Sequence, residues 1–177
     1  MASEDEEFTT LFQDFYPSLC RFLECLLDGR AALAQDLAQE SFLQLHRTDW
    51  SKLPPGEARF WLYRVARNFA INEFRRGQTR SRLFEHLVKV MRPRRRNPEE
   101  EYEAQEQQRM VLEMLQSLPE GQRTALLLRE QEQLSYREIG HVLNISESKV
   151  KIDIFRARTT LRETWSRRNQ AFSARGH

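Results

Sequence analysis

Residues 134–163, "LSYREIGHVLNISESKVKIDIFRARTTLRE", decide the fold. Ser135 and Glu138 have the S-x-x-E spacing of a capping box, so a helix is expected to start there. Tyr136, Ile139 and Leu143 then recur at helical spacing. Asn144 suits the left-handed conformation that ends a helix, and Ser146 suits the cap of the next one. Two helices joined by so short a turn follow the helix-turn-helix plan. At about 100° per residue, Val150, Ile154, Ala157 and Leu161 form one apolar stripe on the second helix. Lys151, Ile152, Phe155, Arg156, Thr159 and Arg162 fall on the opposite side. A DNA major groove has phosphates on its walls and thymine methyls on its floor, and a cationic face with two apolar groups suits both. The competing reading has Ile152 and Phe155 packed against another domain or a partner protein.

Outward from this stretch, six prolines, six glycines and little β-branched alternation indicate an all-α chain. Helices are expected at residues 5–27, 31–48, 57–76, 98–117, 120–131, 135–143 and 147–168. "DWSKLPPGE" (49–57) reads as a loop, and residues 77–97 as a linker with a short helix near 83–90. Asn97 and Pro98 suit the cap and first position of the following helix. The organisation is therefore two small helical domains, 1–77 and 98–177, joined by a basic linker, 78–97. Net charge is only +2 but is unevenly distributed: −3 over residues 1–77, +6 over 78–97, −6 over 98–143 and +5 over 144–177. Such blocks suggest separate surfaces, and the basic C-terminal block suggests a polyanion.

Several classes are disfavoured. No apolar run approaches the roughly 18 residues of a membrane span. The acidic start "MASEDEEF" is unlike a secretory leader, so a cytoplasmic protein is expected. Cys20 and Cys25 are five apart, point to different sides of a helix and match no zinc pattern. The four histidines are scattered, and no catalytic constellation, metal site or cofactor motif is present.

Two N-terminal segments carry further candidates. In "DLAQESFLQLHR" (36–47), Ala34, Leu37, Ala38, Ser41, Phe42 and Leu45 make an inner face, and Asp36, Gln39, Glu40, Leu43 and Arg47 an outer one. A solvated surface explains most of that outer face, whereas the lone Leu43 hints at a protein contact. In "RFWLYRVARNFAINEFRR" (59–76), Leu62, Val65, Ala66, Phe69 and Ala70 make the inner face. Trp61, Arg64, Asn68, Asn72 and Arg75 share another side. Rings and guanidiniums stack on bases and amides read base edges, which suits an unpaired strand better than duplex. The alternative places Trp61 in the core and leaves the asparagines solvated or capping.

Together, "DLAQESFLQLHR", "FWLYRVARNFAINEFRR" and the stretch from Leu118 to Glu163 resemble the extracytoplasmic-function (ECF) class of bacterial sigma factors. The likeness spans about residues 8–166. It implies a first domain (region 2) that binds the RNA polymerase clamp and opens the −10 element. It implies a second (region 4) that binds the polymerase flap and reads the −35 element. It also implies an anti-sigma partner. The clamp face would be Asp36, Gln39, Glu40 and Leu43. The −10 surface would be Trp61, Arg64, Asn68, Asn72 and Arg75, with the 49–57 loop as the pocket for an extruded base. The −35 surface would be Ser146, Ser148, Lys149, Lys151, Ile152, Phe155 and Arg156. Three departures from the family pattern are Asn144 for the usual turn glycine, and Ile152 and Asp153 where a small polar residue and an arginine are common. An aspartate on that flank is expected to repel phosphate and alter −35 preference. A dimeric helix-turn-helix regulator and a helical adaptor that does not bind DNA are the other function classes this sequence admits.

Overall fold

A computed structural model describes residues 4–84 and 99–173, with side chains over 5–76 and 105–170. Among them the secondary structure is helical: α1 (Glu4–Leu26), α2 (Ala31–His46), α3 (Glu57–Phe84), α4 (Glu99–Gln116), α5 (Glu120–Glu130), α6 (Tyr136–Leu143) and α7 (Glu147–Ser173). A single 3₁₀ turn, Trp50–Lys52, interrupts the loop before α3.

Helices α1, α2 and α3 pack on one another, and α5, α6 and α7 form a second unit flanked by α4. The first core holds Leu19, Phe22, Leu23, Phe42, Leu45, Leu62 and Tyr63. The second holds Leu128, Leu134, Ile139, Val142, Val150 and Ile154. Leu19, Phe22 and Leu23 of α1, Phe42 and Leu45 of α2, Ile139 and Val142 of α6, and Val150 and Ile154 of α7 each recur at three- or four-residue spacing, on one side of their helix. The two units also touch, through α3 on α6 and α1 on α4 and α5.

The helix-turn-helix forms as its local chemistry dictates. Ser135 Oγ accepts from the Glu138 amide at 3.2 Å, and the Ser135 amide donates to Glu138 Oε2 at 2.7 Å. Those bonds to Ser135 hold the Glu138 carboxyl below its usual value. Asn144 ends α6 at φ 54°, ψ 48°. A Cβ on Gly140 would lie 2.7 Å from the Ile145 carbonyl oxygen, so the tight turn needs glycine there.

One boundary moves. α3 continues to Phe84, so residues 78–84 of the expected linker are helix. Gly77 reads as a stop but costs a helix interior only about 1 kcal/mol, and strong helix formers follow it. Residues 85–98, which carry most of the expected short helix and the Asn97–Pro98 cap, lie outside the described residues.

Candidate nucleic-acid interface

The α7 face is built as its periodicity requires. Val150, Ile154 and Ala157 are buried, while Phe155 is 72% and Ile152 47% exposed. Ser146 caps the helix by accepting from the Lys149 amide at 3.2 Å. Ser148, Lys149, Lys151 and Arg156 are exposed. Lys151 pairs with Glu147 at 2.9 Å and lies over the Tyr136 ring at 5.8 Å. The hydrogen bond to Glu147 raises its pKa.

Asp153 overturns an expectation. It is 3% exposed and pairs with Lys149 one turn earlier, so it does not project toward a phosphate wall. The reason is angular: residue 153 lies about 60° from Val150 on the wheel, on the margin of the buried stripe. Lys149 thereby directs its charge one turn forward along the helix, to Asp153.

On α3 the expected strand-binding set divides. Asn68, Asn72 and Arg75 are exposed, and Trp61 is half-buried against the core. Arg64 turns to the other unit: its Nη2 donates to the His141 carbonyl at 3.0 Å and its Nε to that of Val142 at 3.3 Å. Those carbonyls end α6, where the helix dipole gathers partial negative charge. His141 Nε2 lies 2.8 Å from Glu57 Oε1, and the His141 ring meets Phe60 edge-on. A single-helix projection cannot show that α6 docks against this side of α3.

On α2, Asp36, Gln39, Glu40 and Leu43 are all exposed, Leu43 by 51%. Leu43 borders a shallow groove of about 350 Å³, lined also by Phe8, Phe12, Phe42 and His46. In the 49–57 loop, Trp50 packs against Phe8 at 5.7 Å.

Periodicity gave no signal for the contacts between the two units. Glu132, in the loop before α6, enters the first unit with its side chain only 6% exposed. It accepts from the Tyr63 hydroxyl, and Arg59 Nη2 donates to its backbone carbonyl at 2.7 Å. Burial and the Glu132 carboxylate push the Tyr63 phenol well above its usual pKa. Beside this contact, Arg67 makes a two-pronged pair with Glu120, both bonds 2.7 Å.

Among the described residues no group of His, Cys, Asp and Glu could hold a metal ion. No described helix is long and apolar enough to cross a membrane.

Residues 11–80 match the family model Sigma-70 region 2, and residues 108–161 match Sigma-70, region 4. The ECF RNA polymerase sigma factor SigM of Bacillus subtilis is 30% identical over 162 residues, 89% of this chain and 94% of that one. The chain belongs to the ECF class of RNA polymerase sigma factors. The ECF sigma-E factor of Haemophilus influenzae is 36% identical over 138 residues, 70% of this chain and 69% of that one. Two solved structures share the fold. RpoE of Bartonella quintana, crystallised with the anti-sigma factor NepR, has a TM-score of 0.67 at 19% identity, covering 90% of this chain and 97% of its own. CnrH, solved with the cytosolic domain of CnrY, has a TM-score of 0.66 at 20% identity, covering 93% and 90%. Against this background the α7 face lies within matched region 4, and the α2 and α3 faces lie within matched region 2.

Proposed function

We propose that this sigma factor brings RNA polymerase core to its promoters through three separate faces. The α7 face, residues 146, 148, 149, 151, 152, 155 and 156, reads the −35 duplex, with Arg156 placed for a base edge or phosphate and Phe155 for a thymine methyl. Trp61, Asn68 and Asn72 hold the unpaired −10 strand, joined by Arg64 once α6 has left it and by Arg75 at the far end. The α2 face around Leu43 binds the polymerase clamp, and region 4 binds the flap. The protein acts in the cytoplasm as a non-catalytic subunit, and an anti-sigma factor controls it. The anti-sigma reading is supported by the complex in which the Bartonella relative was solved.

The observation that carries this reading is the exposure of Phe155 and Ile152 beside Lys151 and Arg156, on the side of α7 opposite the buried stripe. The test is reconstitution with polymerase core, followed by run-off transcription and binding across a randomised −35 library. A salt-dependent, core-dependent promoter preference is expected. Tight duplex binding without core, together with no affinity for core, would replace this reading with a dimeric regulator.

A further inference from the structure

Glu132 is separated from its partners by 69 and 73 positions, yet its side chain is almost entirely buried among them. The receiving site belongs wholly to α1 and α3. Tyr63 is 0% exposed and meets Phe22 edge-on at 5.2 Å. Its hydroxyl also lies 3.0 Å from Ser18 Oγ. Arg59 lies over the Phe15 ring at 5.5 Å, and its Nε is buried without a hydrogen-bond partner. The core of region 2 holds these groups in place, so the slot outlasts departure of region 4.

Departure follows from the proposed function, on which this inference rests. The −35 and −10 elements lie about 25 base pairs apart, or about 85 Å along B-DNA. In the structure Arg64 of α3 touches α6 at 3.0 Å. Region 4 therefore leaves region 2 when both elements are read, and the loop before α6 takes Glu132 with it. The slot then presents a guanidinium, which can only donate, and a phenol hydroxyl beside Ser18. Water reaches these donors once region 4 has left, and a carboxylate satisfies them more strongly, through charge-assisted bonds.

We propose that the Ser18–Arg59–Tyr63 slot is a carboxylate-binding site, filled by Glu132 in the closed chain and by an acidic side chain of RNA polymerase core in the holoenzyme. A side chain is favoured over a nucleic-acid phosphate by fit. The group the slot holds in the closed chain is a carboxylate on a slim methylene stem, its side chain only 6% exposed, and a phosphodiester flanked by sugars has no such stem.

The test measures affinity of the full chain for polymerase core without DNA. It compares the wild type, Glu132→Ala, and Glu132→Ala combined with either Tyr63→Phe or Arg59→Met. Glu132→Ala empties the slot and should bind core at least as tightly as wild type. Adding Tyr63→Phe should then weaken core binding about tenfold, the loss of one hydrogen bond to a charged group. Arg59→Met, which keeps the apolar stem, should do the same. Melting curves identify any variant that is not folded, and the other variant then decides. Core affinity within twofold of Glu132→Ala in the folded double variants overturns the proposal, as does a loss seen only for a single-stranded −10 oligonucleotide. Failure of the wild type to bind core at all instead removes the functional reading beneath it.

Discussion

Replacing Asp153 with arginine separates the helix projection from the structure. Viewed as a phosphate-repelling charge beside the groove, Asp153→Arg should raise affinity for every −35 sequence. The structure predicts loss of the fold's stability instead. The carboxylate side chain is 5% exposed and its partner is the Lys149 ammonium, whose side chain is 51% exposed. Neighbours Val150, Ile154 and Ala157 are 0–1% exposed. The substitution removes the acceptor and brings a second cation beside Lys149. Lys149 can turn to water, so it is not stranded. The new guanidinium is the larger problem, because an unpaired charge at a buried position costs about 3–5 kcal/mol. Its long stem lets the charge reach toward solvent, which favours the lower end, about 3 kcal/mol. For a chain of this size 1 kcal/mol moves the midpoint by about 2–4 °C, so a fall of about 6–12 °C is expected.

The assay is thermal unfolding of the full chain by circular dichroism, with Phe155→Ala as the comparison. Phe155 is 72% exposed, so its truncation should stay within about 0.5 kcal/mol of wild type. A wild-type melting curve for Asp153→Arg together with tighter −35 binding would refute the burial argument. It would also restore Asp153 to the DNA side of α7.

Three further outcomes are expected. Asn68→Ala with Asn72→Ala should weaken −10 strand capture by about 1–3 kcal/mol per contact while leaving −35 binding intact; undiminished permanganate reactivity of the −10 thymines would rule this out. Leu43→Asp alters a half-exposed residue, so the melting curve should hold while core affinity falls. Equal core affinity would show Leu43 to be ordinary solvated surface. Cys20, Cys25 and Tyr63 all have pKa values raised by burial above ordinary values of 9.0, 9.0 and 10.0. The folded state then binds these protons more tightly than the unfolded state. Stability is full below about pH 9 and falls as pH rises through the thiol and phenol ranges. A urea midpoint unchanged between about pH 8 and pH 10.5 would contradict that sign.

What the sequence showed directly was local chemistry. The Ser135–Glu138 box, the left-handed Asn144 and the Ser146 cap act within four residues, so their spacing sufficed. The inner face of α2, from Ala34 to Leu45, was visible for the same reason. Asp153 was misplaced because a projection gives an angle but not how far neighbouring helices wrap around the stripe. Tyr63, Arg59 and Glu132 were missed because their partnership depends on how two helical units meet. Tyr63 is the deepest large side chain of α3, yet its angular position gave no cue that its hydroxyl would serve another domain.

The same contacts revise the meaning of the charge blocks. The −6 block over residues 98–143 reads from composition as a surface for an outside partner. In the structure two of its carboxylates, Glu120 and Glu132, meet Arg67 and Arg59 of region 2. The end of α6, within the same block, holds Arg64. Part of the block's partner is therefore the chain itself. Partly exposed pairs such as Arg67–Glu120 are weakened by salt, whereas the Glu132 slot is better shielded from it. Closure thus combines a screened rim with a buried anchor. If Arg64 holds the −10 strand as proposed, it links closure to promoter capture, because its guanidinium cannot serve the α6 carbonyls and a strand at once. On the proposed reading, a separation of the two units that draws Glu132 from its slot also takes the α6 carbonyls from Arg64 and frees it for the strand.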